Sequence, residues 1–437
     1  MAYKVCTTFQ EFQTQNQSIN LPFLPDTAIL GKPLTVGTKT IPNRLACQAM
    51  EGCDGTPSGS PDRLTIRRYD RFAKGGAGLI WFEATAALEE GRANPRQLWI
   101  QRKNLDDFKR QVEAIKETAL KENGYAPVVI MQATHSGRYS KPWGAPAPLI
   151  ACHNSILEEK QPVDDDRIVT DDHLMRIGQA LVEAAELAEE AGFDGVDIKC
   201  CHRYLLSELL SAHTRPGPYG GDLPNRARLL LETVEGARQS TCSDFLVTTR
   251  LNAYDGFPHP WGFGVSPDGS TEFDPTEPIW LLQQLKNRGV ELVNITMGNP
   301  YFNPHVNRPF ATGGYEHPED PMLGVARMLQ GTAQLKAAVP ELKFLCSATT
   351  FLGVAAPHVT AAMIENDNFD LAGFGRTIFA NPDFARDILK TGTLPKEKLC
   401  ICCSKCSQLM RAGGTPGCII RDKEVYGPLF RETFGGK

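Results

Sequence analysis

Short apolar segments alternate with longer amphipathic segments along almost the whole chain, and this alternation restricts the fold more than any other feature of the sequence. A strand followed by a helix, repeated many times, is typical of a parallel sheet covered by helices. The alternation amounts to eight units. The predicted strands are Arg44–Met50, Gly78–Ala84, Pro127–His135, Gly195–Cys201, Phe245–Leu251, Leu292–Met297, Lys343–Thr349 and Asp370–Gly375.

Amphipathic patterns predict helices between these strands, for example Leu105–Leu120, Asp172–Ala191, Arg226–Arg238 and Pro275–Arg288. No GxGxxG fingerprint opens a helix, which disfavours a dinucleotide-binding doubly wound sheet. Eight units match a (β/α)₈ barrel, and a barrel with insertions can hold most of a 437-residue chain as one domain. The sequence therefore predicts an α/β fold, a TIM barrel over residues 1–392, followed by a short cysteine-rich segment over residues 393–437.

Charge and hydropathy exclude several classes of partner. The net charge of −5 and the pI near 6.0 argue against nucleic-acid or anionic-membrane binding. The N-terminus is polar and has no apolar run that could act as a signal peptide. No stretch approaches the roughly 18 apolar residues that span a bilayer. We therefore expect a cytoplasmic protein with small-molecule partners.

Alternation within individual strands places polar side chains on the face that would point into the barrel. In Gly195–Cys201, Asp197 and Lys199 share one face, opposite the alternate apolar residues. Arg250 is placed in the same way on the next strand, and Gln132 ends an apolar run. Charges inside a barrel are costly unless they are paired or bound to a ligand. The pattern thus leaves two interpretations open, a buried ion-pair network or a ligand site at the C-terminal end of the barrel.

Three long segments between the strands are rich in Gly, Pro and aromatic residues. They are His135–Asp171, Asn252–Asp274 and Asn299–Asp320. Long loops on a compact scaffold are usually lids or binding loops. We expect all three to border a ligand site.

Five of the thirteen cysteines crowd into one C-terminal segment, as Cys400, Cys402, Cys403, Cys406 and Cys418. In a reducing cytoplasm such a cluster indicates a metal site rather than disulfides. The spacing Cys400-x2-Cys403-x2-Cys406-x11-Cys418 places three thiolates close together and a fourth beyond a loop. That arrangement favours a [4Fe–4S] cluster over structural zinc, which more often uses two separated CxxC pairs. Cys402 has no assigned role.

Five motifs also follow one another at barrel-compatible spacing. They are Pro42-Asn-Arg44, Gly75-Gly-Ala-Gly78, Gln132-x-x-His-x-Gly-Arg138, the run GFDGVDIKCCHRYLLSELL from Gly192 to Leu210, and Gly373-Phe-Gly-Arg-x-x-x-Ala-Asn-Pro382. Together they resemble the Old Yellow Enzyme family, and more narrowly its iron–sulfur branch, which includes 2,4-dienoyl-CoA reductase and trimethylamine dehydrogenase. The resemblance covers nearly the whole chain and implies FMN at the C-terminal mouth of the barrel.

The resemblance implies a role in holding the flavin for nine residues. Gln132 would hydrogen-bond the pyrimidine edge, and Arg250 would place a positive charge near N1 and the O2 carbonyl. Arg376 and its neighbours would hold the phosphate, largely through backbone N–H groups. The full set is Ala49, Met50, Gln132, Arg250, Ser347, Ala348, Thr349, Gly375 and Arg376.

The resemblance also implies three catalytic residues. Lys199 and His202 would donate to a substrate carbonyl oxygen, and Tyr204 would protonate the α-carbon while flavin N5 delivers hydride to the β-carbon. Without the resemblance, His202 would be interpreted as a core histidine and Tyr204 as a packed aromatic. Lys199 departs from the family's usual His, and Glu51 departs from its usual small or neutral residue.

The expected activity is reduction of the C=C bond of an α,β-unsaturated carbonyl compound, an enone or enoate that is bulky and apolar. An oxidative dehydrogenase or demethylase of the trimethylamine dehydrogenase type is an alternative. Two further alternatives belong to other functional classes. One is a zinc-stapled barrel lyase that uses a Lys199 Schiff base, and the other is a non-catalytic electron carrier. The FAD and NAD domains of larger relatives have no counterpart in this sequence. We therefore expect NAD(P)H to reduce FMN directly, or a separate electron-donor protein to do so.

Overall fold

The computed structural model describes residues 3–435 of the chain. In this part, eight parallel strands pair in the order of the sequence, and the last strand pairs with the first. A further parallel bridge between Leu345 and Leu371 closes the remaining gap. The predicted (β/α)₈ barrel is thereby confirmed. The strands are β1 Leu45–Cys47, β2 Leu79–Ala86, β3 Val128–Thr134, β4 Gly195–Ile198, β5 Leu246–Asn252, β6 Leu292–Thr296, β7 Lys343–Leu345 and β8 Ala372–Phe374.

Helices follow or separate these strands along the described chain, and the four helices predicted above are all present. The α-helices are α1 Phe9–Asn16, α2 Arg63–Lys74, α3 Leu105–Asn123, α4 Ser155–Glu158, α5 Asp171–Glu190, α6 Leu205–Leu209, α7 Leu223–Ser240, α8 Thr276–Asn287, α9 Pro304–Asn307, α10 Pro321–Ala338, α11 Ala356–Glu365, α12 Arg376–Ala380, α13 Phe384–Thr391, α14 Lys405–Arg411 and α15 Lys423–Phe434.

The helix ends have local causes in the sequence. The side chain of Thr170 accepts a hydrogen bond from the backbone N–H of His173 at the start of α5, and two aspartates occupy the first turn. Gly124 ends α3 in the left-handed conformation, at φ 80°, which glycine adopts without steric cost. The apolar stripes of these helices face the barrel.

Apolar side chains form two layers on opposite faces of the strands. The outer layer joins the strands to the surrounding helices and includes Val196 and Ile198. The inner layer fills the N-terminal part of the barrel with residues such as Trp81 and Ile130. A β-hairpin of Leu34–Val36 and Lys39–Ile41, which the sequence did not predict, packs into this inner layer.

Several predicted strands end earlier than their apolar patterns suggested. The predicted strand Gly195–Cys201 ends at Ile198 because His202 and Arg203 both have positive φ, at 64° and 58°. The predicted strand Lys343–Thr349 ends at Leu345, shortly before Ala348 at φ 66°. Left-handed backbone cannot continue a strand. Both corrections fall at the C-terminal ends of strands, where the chain turns towards the site described below.

The cysteine-rich segment folds back onto the barrel. It begins after Gly392, and one of its anchors is the carboxylate of Asp422, which pairs with Arg67 at 2.8 Å and with Arg71. The hydroxyl of Thr415 donates to the carbonyl of Cys53 at 3.3 Å. Within residues 3–435, no helix is both long and apolar enough to cross a membrane.

Candidate active site

A cavity with about 710 Å³ of empty volume lies at the C-terminal ends of the strands. Pockets that bind cofactors and small molecules commonly lie in this place on a barrel. Seven residues of the predicted site line it, namely Ala49, Met50, Gln132, Lys199, His202, Tyr204 and Arg376. Eleven further residues complete the wall, namely Glu51, Ala84, Pro300, Tyr301, Asn307, Arg308, Phe379, Cys406, Ser407, Met410 and Pro416.

The turn after β4 brings the three predicted catalytic side chains together. Lys199 and Tyr204 are 4% and 2% exposed, and the Lys199 Nζ lies 3.8 Å from the centroid of the Tyr204 ring. This is a close cation–π contact. His202 lies between them in sequence, and its Nε2 is buried without a hydrogen-bond partner in the described part of the chain.

A buried ion pair holds this strained turn. The Arg203 guanidinium donates to Asp255 Oδ2 at 2.9 Å, and both side chains are 1% exposed. The same carboxylate accepts from the backbone N–H of Phe263 at 2.9 Å and from Asn252 at 2.6 Å. Consecutive left-handed residues persist only where neighbouring contacts over-determine them. The Arg203–Asp255 pair supplies such contacts.

Burial sets the protonation of the turn at neutral pH. It raises the pKa of Tyr204 well above its usual range, and the neighbouring Tyr301 and Glu51 act in the same direction. Burial lowers the pKa of His202 well below its usual range, with the charges of Arg250 and Lys199 adding to the effect. Tyr204 therefore keeps its proton, and His202 is a neutral imidazole.

Glu51 brings a carboxyl group to the same wall. Burial raises its pKa, and the charge of Lys199 opposes that rise. The thiol of Cys53 donates to Glu51 Oε1 at 3.5 Å. Burial also lowers the pKa of Lys199. The environment thus weakens the negative charge of the Glu51 carboxyl group.

Gln132 is fixed by a carboxylate inside the barrel. Asp197 Oδ2 accepts from Gln132 Nε2 at 2.6 Å and from Trp81 Nε1 at 2.7 Å. Asp197 Oδ1 accepts from the backbone N–H of Arg250 at 2.6 Å. The Gln132 amide oxygen is left as the group available to a ligand.

Within the described residues, Asp197, Lys199 and Arg250 do not form the ion-pair network that was the alternative interpretation. Among residues 3–435, no carboxylate lies within 4 Å of the charged atoms of Lys199 or Arg250. Asp197 is satisfied by neutral donors instead. Unpaired buried charges are costly, so this geometry favours a ligand.

Of the residues predicted to hold a phosphate, only Arg376 lines the cavity. The hydroxyls of Ser347 and Thr349 are already used, as donors to the carbonyls of Ile295 and Gly373 at 2.8 Å each. This leaves the backbone around Ala348, rather than these hydroxyls, for an anion. Gly375 lies against Met50 of the cavity wall. Arg250, also predicted, is 7% exposed and does not line the cavity.

The cavity suits a flavin with a phosphate group. Among residues 3–435, three residues that line it have a nitrogen atom that is buried without a partner, namely His202 Nε2, Arg308 Nη1 and Arg376 Nη1, and Arg250 Nε is a fourth such atom outside the wall. Buried donors are normally paired, so unpaired donors that face a cavity can donate to a ligand bound there. All four belong to cationic or imidazole groups, and a phosphate or a flavin carbonyl oxygen can accept from them.

The C-terminal cysteines surround a second, smaller cavity with about 390 Å³ of empty volume. Its wall includes the four predicted ligands, Cys400, Cys403, Cys406 and Cys418, together with Cys402. Within the described chain, no three Cys, His, Asp or Glu side chains converge on one point at metal-binding distance. The thiols are of the type that binds an iron–sulfur cluster, but within the described chain they do not converge on a common centre.

Sequence reasoning missed Tyr301 and Arg308, which come from the predicted loop Asn299–Asp320. The hydroxyl of Tyr301 lies 2.9 Å from that of Tyr204. Burial and the charge of Arg376 lower the pKa of Arg308 to about 10. The loop was predicted to border a ligand, and its composition gave no signal for which side chains would do so.

Residues 30–296 match the NADH:flavin oxidoreductase / NADH oxidase family. The chain belongs to this family. The resemblance to Old Yellow Enzymes is confirmed. Family membership makes the protein a flavin oxidoreductase and supports FMN and NAD(P)H as its cofactors.

This flavin oxidoreductase resembles proteins of different lengths. A "metal reductase" of Desulforamulus reducens is 26% identical over 387 residues, which cover 86% of this chain and 51% of that protein. An "NADPH dehydrogenase" of Clostridium acetobutylicum is 29% identical, with 80% of this chain and 91% of that protein covered. The fold matches a 2-naphthoyl-CoA reductase with a TM-score of 0.72 at 19% identity, covering 94% of this chain and 58% of the other. The chain thus spans about half the length of the metal reductase.

Proposed function

We propose that this flavin oxidoreductase is an ene-reductase that reduces the C=C bond of an α,β-unsaturated carbonyl compound. The observation that carries the proposal is the convergence of Tyr204, His202 and Lys199 on one cavity. They supply a phenol that retains its proton and two nitrogen donors. A conjugate reduction needs this combination, because negative charge develops on the carbonyl oxygen while a carbon takes up a proton.

Each side chain has a distinct part in the proposal. His202 Nε2 has no partner among the residues that the structure describes, and it would donate to the carbonyl oxygen. The Lys199 Nζ, over the Tyr204 ring, adds a second donor to the same oxygen. Tyr204 delivers its proton to the α-carbon. FMN, when bound, would supply hydride for the β-carbon.

The residues proposed to hold FMN fall into three groups, according to the part of FMN that each would contact. Gln132 and Arg250 would face the pyrimidine ring. Ala49 and Met50 would contact the flavin from the β1 side. Arg376 would hold the phosphate together with the backbone of Ser347, Ala348, Thr349 and Gly375.

We further propose that Cys400, Cys403, Cys406 and Cys418 bind a [4Fe–4S] cluster. The four thiols share one cavity, and their spacing suits a cubane. Arg376, Phe379 and Cys406 line both cavities, so the proposed cluster and the proposed flavin would be neighbours. NAD(P)H is the proposed donor, with support from the likeness to NADPH dehydrogenases. A separate electron-donor protein would be the alternative.

The proposed substrate is bulky and apolar. Apolar side chains form part of the cavity wall, among them Pro300, Phe379, Met410 and Pro416. Such a wall favours aromatic or polycyclic enones and enoates over short aliphatic ones through burial of apolar surface.

The test separates the two half-reactions by stopped flow under anaerobic conditions. Tyr204→Phe is expected to leave reduction of the flavin by NAD(P)H within about twofold of wild type, and to slow its reoxidation by an enone about a hundredfold or more. Equal losses in both half-reactions would remove Tyr204 as the acid. Turnover of amines but not enones would favour an oxidative dehydrogenase. Borohydride trapping of substrate on Lys199 in a colourless protein would favour the lyase.

A further inference from the structure

Tyr204 shares a hydrogen bond with a residue from a different part of the barrel. Its hydroxyl oxygen lies 2.9 Å from the hydroxyl oxygen of Tyr301, which follows β6. Both side chains line the cavity. A phenol can donate one hydrogen bond and also accept, so a proton can pass between the two oxygens.

The position of Tyr301 is fixed by several contacts. Its ring stacks on Tyr139, with ring centroids 3.9 Å apart and planes at 17°. Its backbone N–H donates to Asn299 Oδ1 at 2.9 Å, and the Asn299 amide donates to the Tyr139 hydroxyl at 2.6 Å. The Arg411 guanidinium of the cysteine-rich segment donates to the carbonyl of Pro300 at 2.7 Å. The hydroxyl of Tyr301 is therefore held against Tyr204.

The two phenols differ in their access to water. Tyr204 is 2% exposed, whereas Tyr301 is only partly buried. Burial raises the pKa of both phenols, so both carry their protons at neutral pH. After Tyr204 has given up its proton, a substrate above it would block direct return from solvent. Tyr301, whose hydroxyl is hydrogen-bonded to that of Tyr204, offers a path through the protein.

We propose that Tyr301 relays a proton to Tyr204 as Tyr204 protonates the substrate carbon. The Tyr204 O–H bond breaks while the new C–H bond forms, the Tyr301 O–H bond breaks while the Tyr204 O–H bond forms again, and water restores the proton on Tyr301. Only protons move in this relay. The relay rests on the proposed function, since it takes Tyr204 as the acid, and it makes Tyr301 a positioning residue that acts through Tyr204.

The test is Tyr301→Phe in the full-length protein loaded with FMN. The variant keeps the aromatic stack and loses only the hydroxyl. Flavin reoxidation by an enone is expected to slow by about tenfold or more, while flavin reduction by NAD(P)H stays within about twofold of wild type. In mixtures of H₂O and D₂O, the wild-type rate should curve with deuterium content because two protons move, and the variant's rate should become linear.

A double-mutant cycle with Tyr204→Phe separates a relay from simple packing. Tyr301 acts only through Tyr204, so adding Tyr301→Phe to Tyr204→Phe should cause no further loss. The matched control is Tyr315→Phe. Tyr315 lies in the same loop and its hydroxyl contacts His305, outside the cavity, so this control should reoxidise flavin at the wild-type rate.

Three results would overturn the relay. They are an unchanged reoxidation rate in Tyr301→Phe, additive losses in the double variant, and equal losses in both half-reactions. In each of these cases the wild-type protein still reduces an enone, so the proposed function stands. A wild-type protein that reduces no enone overturns the proposed function and the relay together.

Discussion

The Nη2 of Arg376 donates a hydrogen bond of 2.6 Å to the carbonyl oxygen of Pro309. This bond joins the start of α12 to the loop after β6, which carries Tyr301 and Arg308. The Nη1 of the same guanidinium is buried without a partner in the described chain. Arg376 is thus held by one nitrogen and available to an anion with the other.

We therefore expect Arg376→Gln to weaken FMN binding by about ten- to a hundredfold, because one charge-assisted contact to the phosphate contributes about 1.5–3 kcal/mol. The measurement is quenching of flavin fluorescence on titration of the apoprotein. Riboflavin, which lacks the phosphate, should bind the variant and the wild type with similar affinity. Arg386→Gln, outside the cavity, serves as the control. An equal loss for both flavins would show that Arg376 supports the fold rather than the phosphate.

The cysteine assignment makes opposite predictions for two adjacent residues. One [4Fe–4S] cluster corresponds to about four irons per chain. Cys403→Ala should lower the iron and sulfide content of anaerobically purified protein below that value. Cys402→Ala should leave that content unchanged, although Cys402 is the more deeply buried of the two. If only Cys402→Ala lost iron, Cys402 rather than Cys403 would be the cluster ligand. Zinc in place of iron would end the cluster proposal.

The cysteine-rich segment should depend on one carboxylate for its attachment. Asp422 pairs with Arg67 and Arg71, and its backbone N–H donates to the carbonyl of Cys418 at 2.9 Å. Asp422→Asn should cost about 1–2 kcal/mol locally and release iron to a chelator about tenfold faster. The control is Asp70→Asn, which removes an exposed pair with Lys74 on the same helix. Equal rates for the two variants would contradict this attachment.

His213 should make stability fall in mild acid. Burial, followed by the charge of Arg226, lowers its pKa from 6.5 to about 4. A depressed pKa in the folded state gives stability that is complete above about pH 6.5 and is lost as the pH falls towards 4, since the unfolded chain binds the proton first. Because the ring is only half-buried and solvent screens part of the effect, the group contributes about 1 kcal/mol less at pH 5 than at pH 7.5.

The measurement is the thermal midpoint of wild type and His213→Asn at both pH values. The variant should lose less stability between pH 7.5 and pH 5 than the wild type does. His153→Gln is a control of opposite sign, because Glu158 and Asp165 raise the pKa of that exposed histidine. Parallel pH profiles for His213→Asn and wild type would contradict the prediction.

The barrel could be predicted because its signals are local. Apolar runs at β2, β3 and β6 mark buried parallel strands, and the amphipathic pattern of α5 marks a helix with one buried face. The ends of β4 and β7 could not be predicted from these runs. They depend on left-handed turns that contacts elsewhere in the barrel hold in place.

The site could be predicted in part. The resemblance brought Lys199, His202 and Tyr204 to one turn, and strand parity placed Asp197 and Lys199 inside the barrel. Neither the family resemblance nor the strand pattern predicted Tyr301. Its contact with Tyr204 joins residues 97 positions apart in two irregular loops. A contact between loops leaves no periodic pattern in the sequence.

Helix α14 supplies Cys406, Ser407 and Met410 to the wall of the large cavity, and Cys406 also lines the cysteine cavity. The sequence of this one short helix is thus constrained by both cavities. A mutation that adapts the pocket to a new molecule also alters the surroundings of a thiol, and the reverse is equally true. The barrel and the cysteine-rich segment therefore cannot be exchanged between relatives as independent modules. A working chimera must inherit α14 together with the loop after β6.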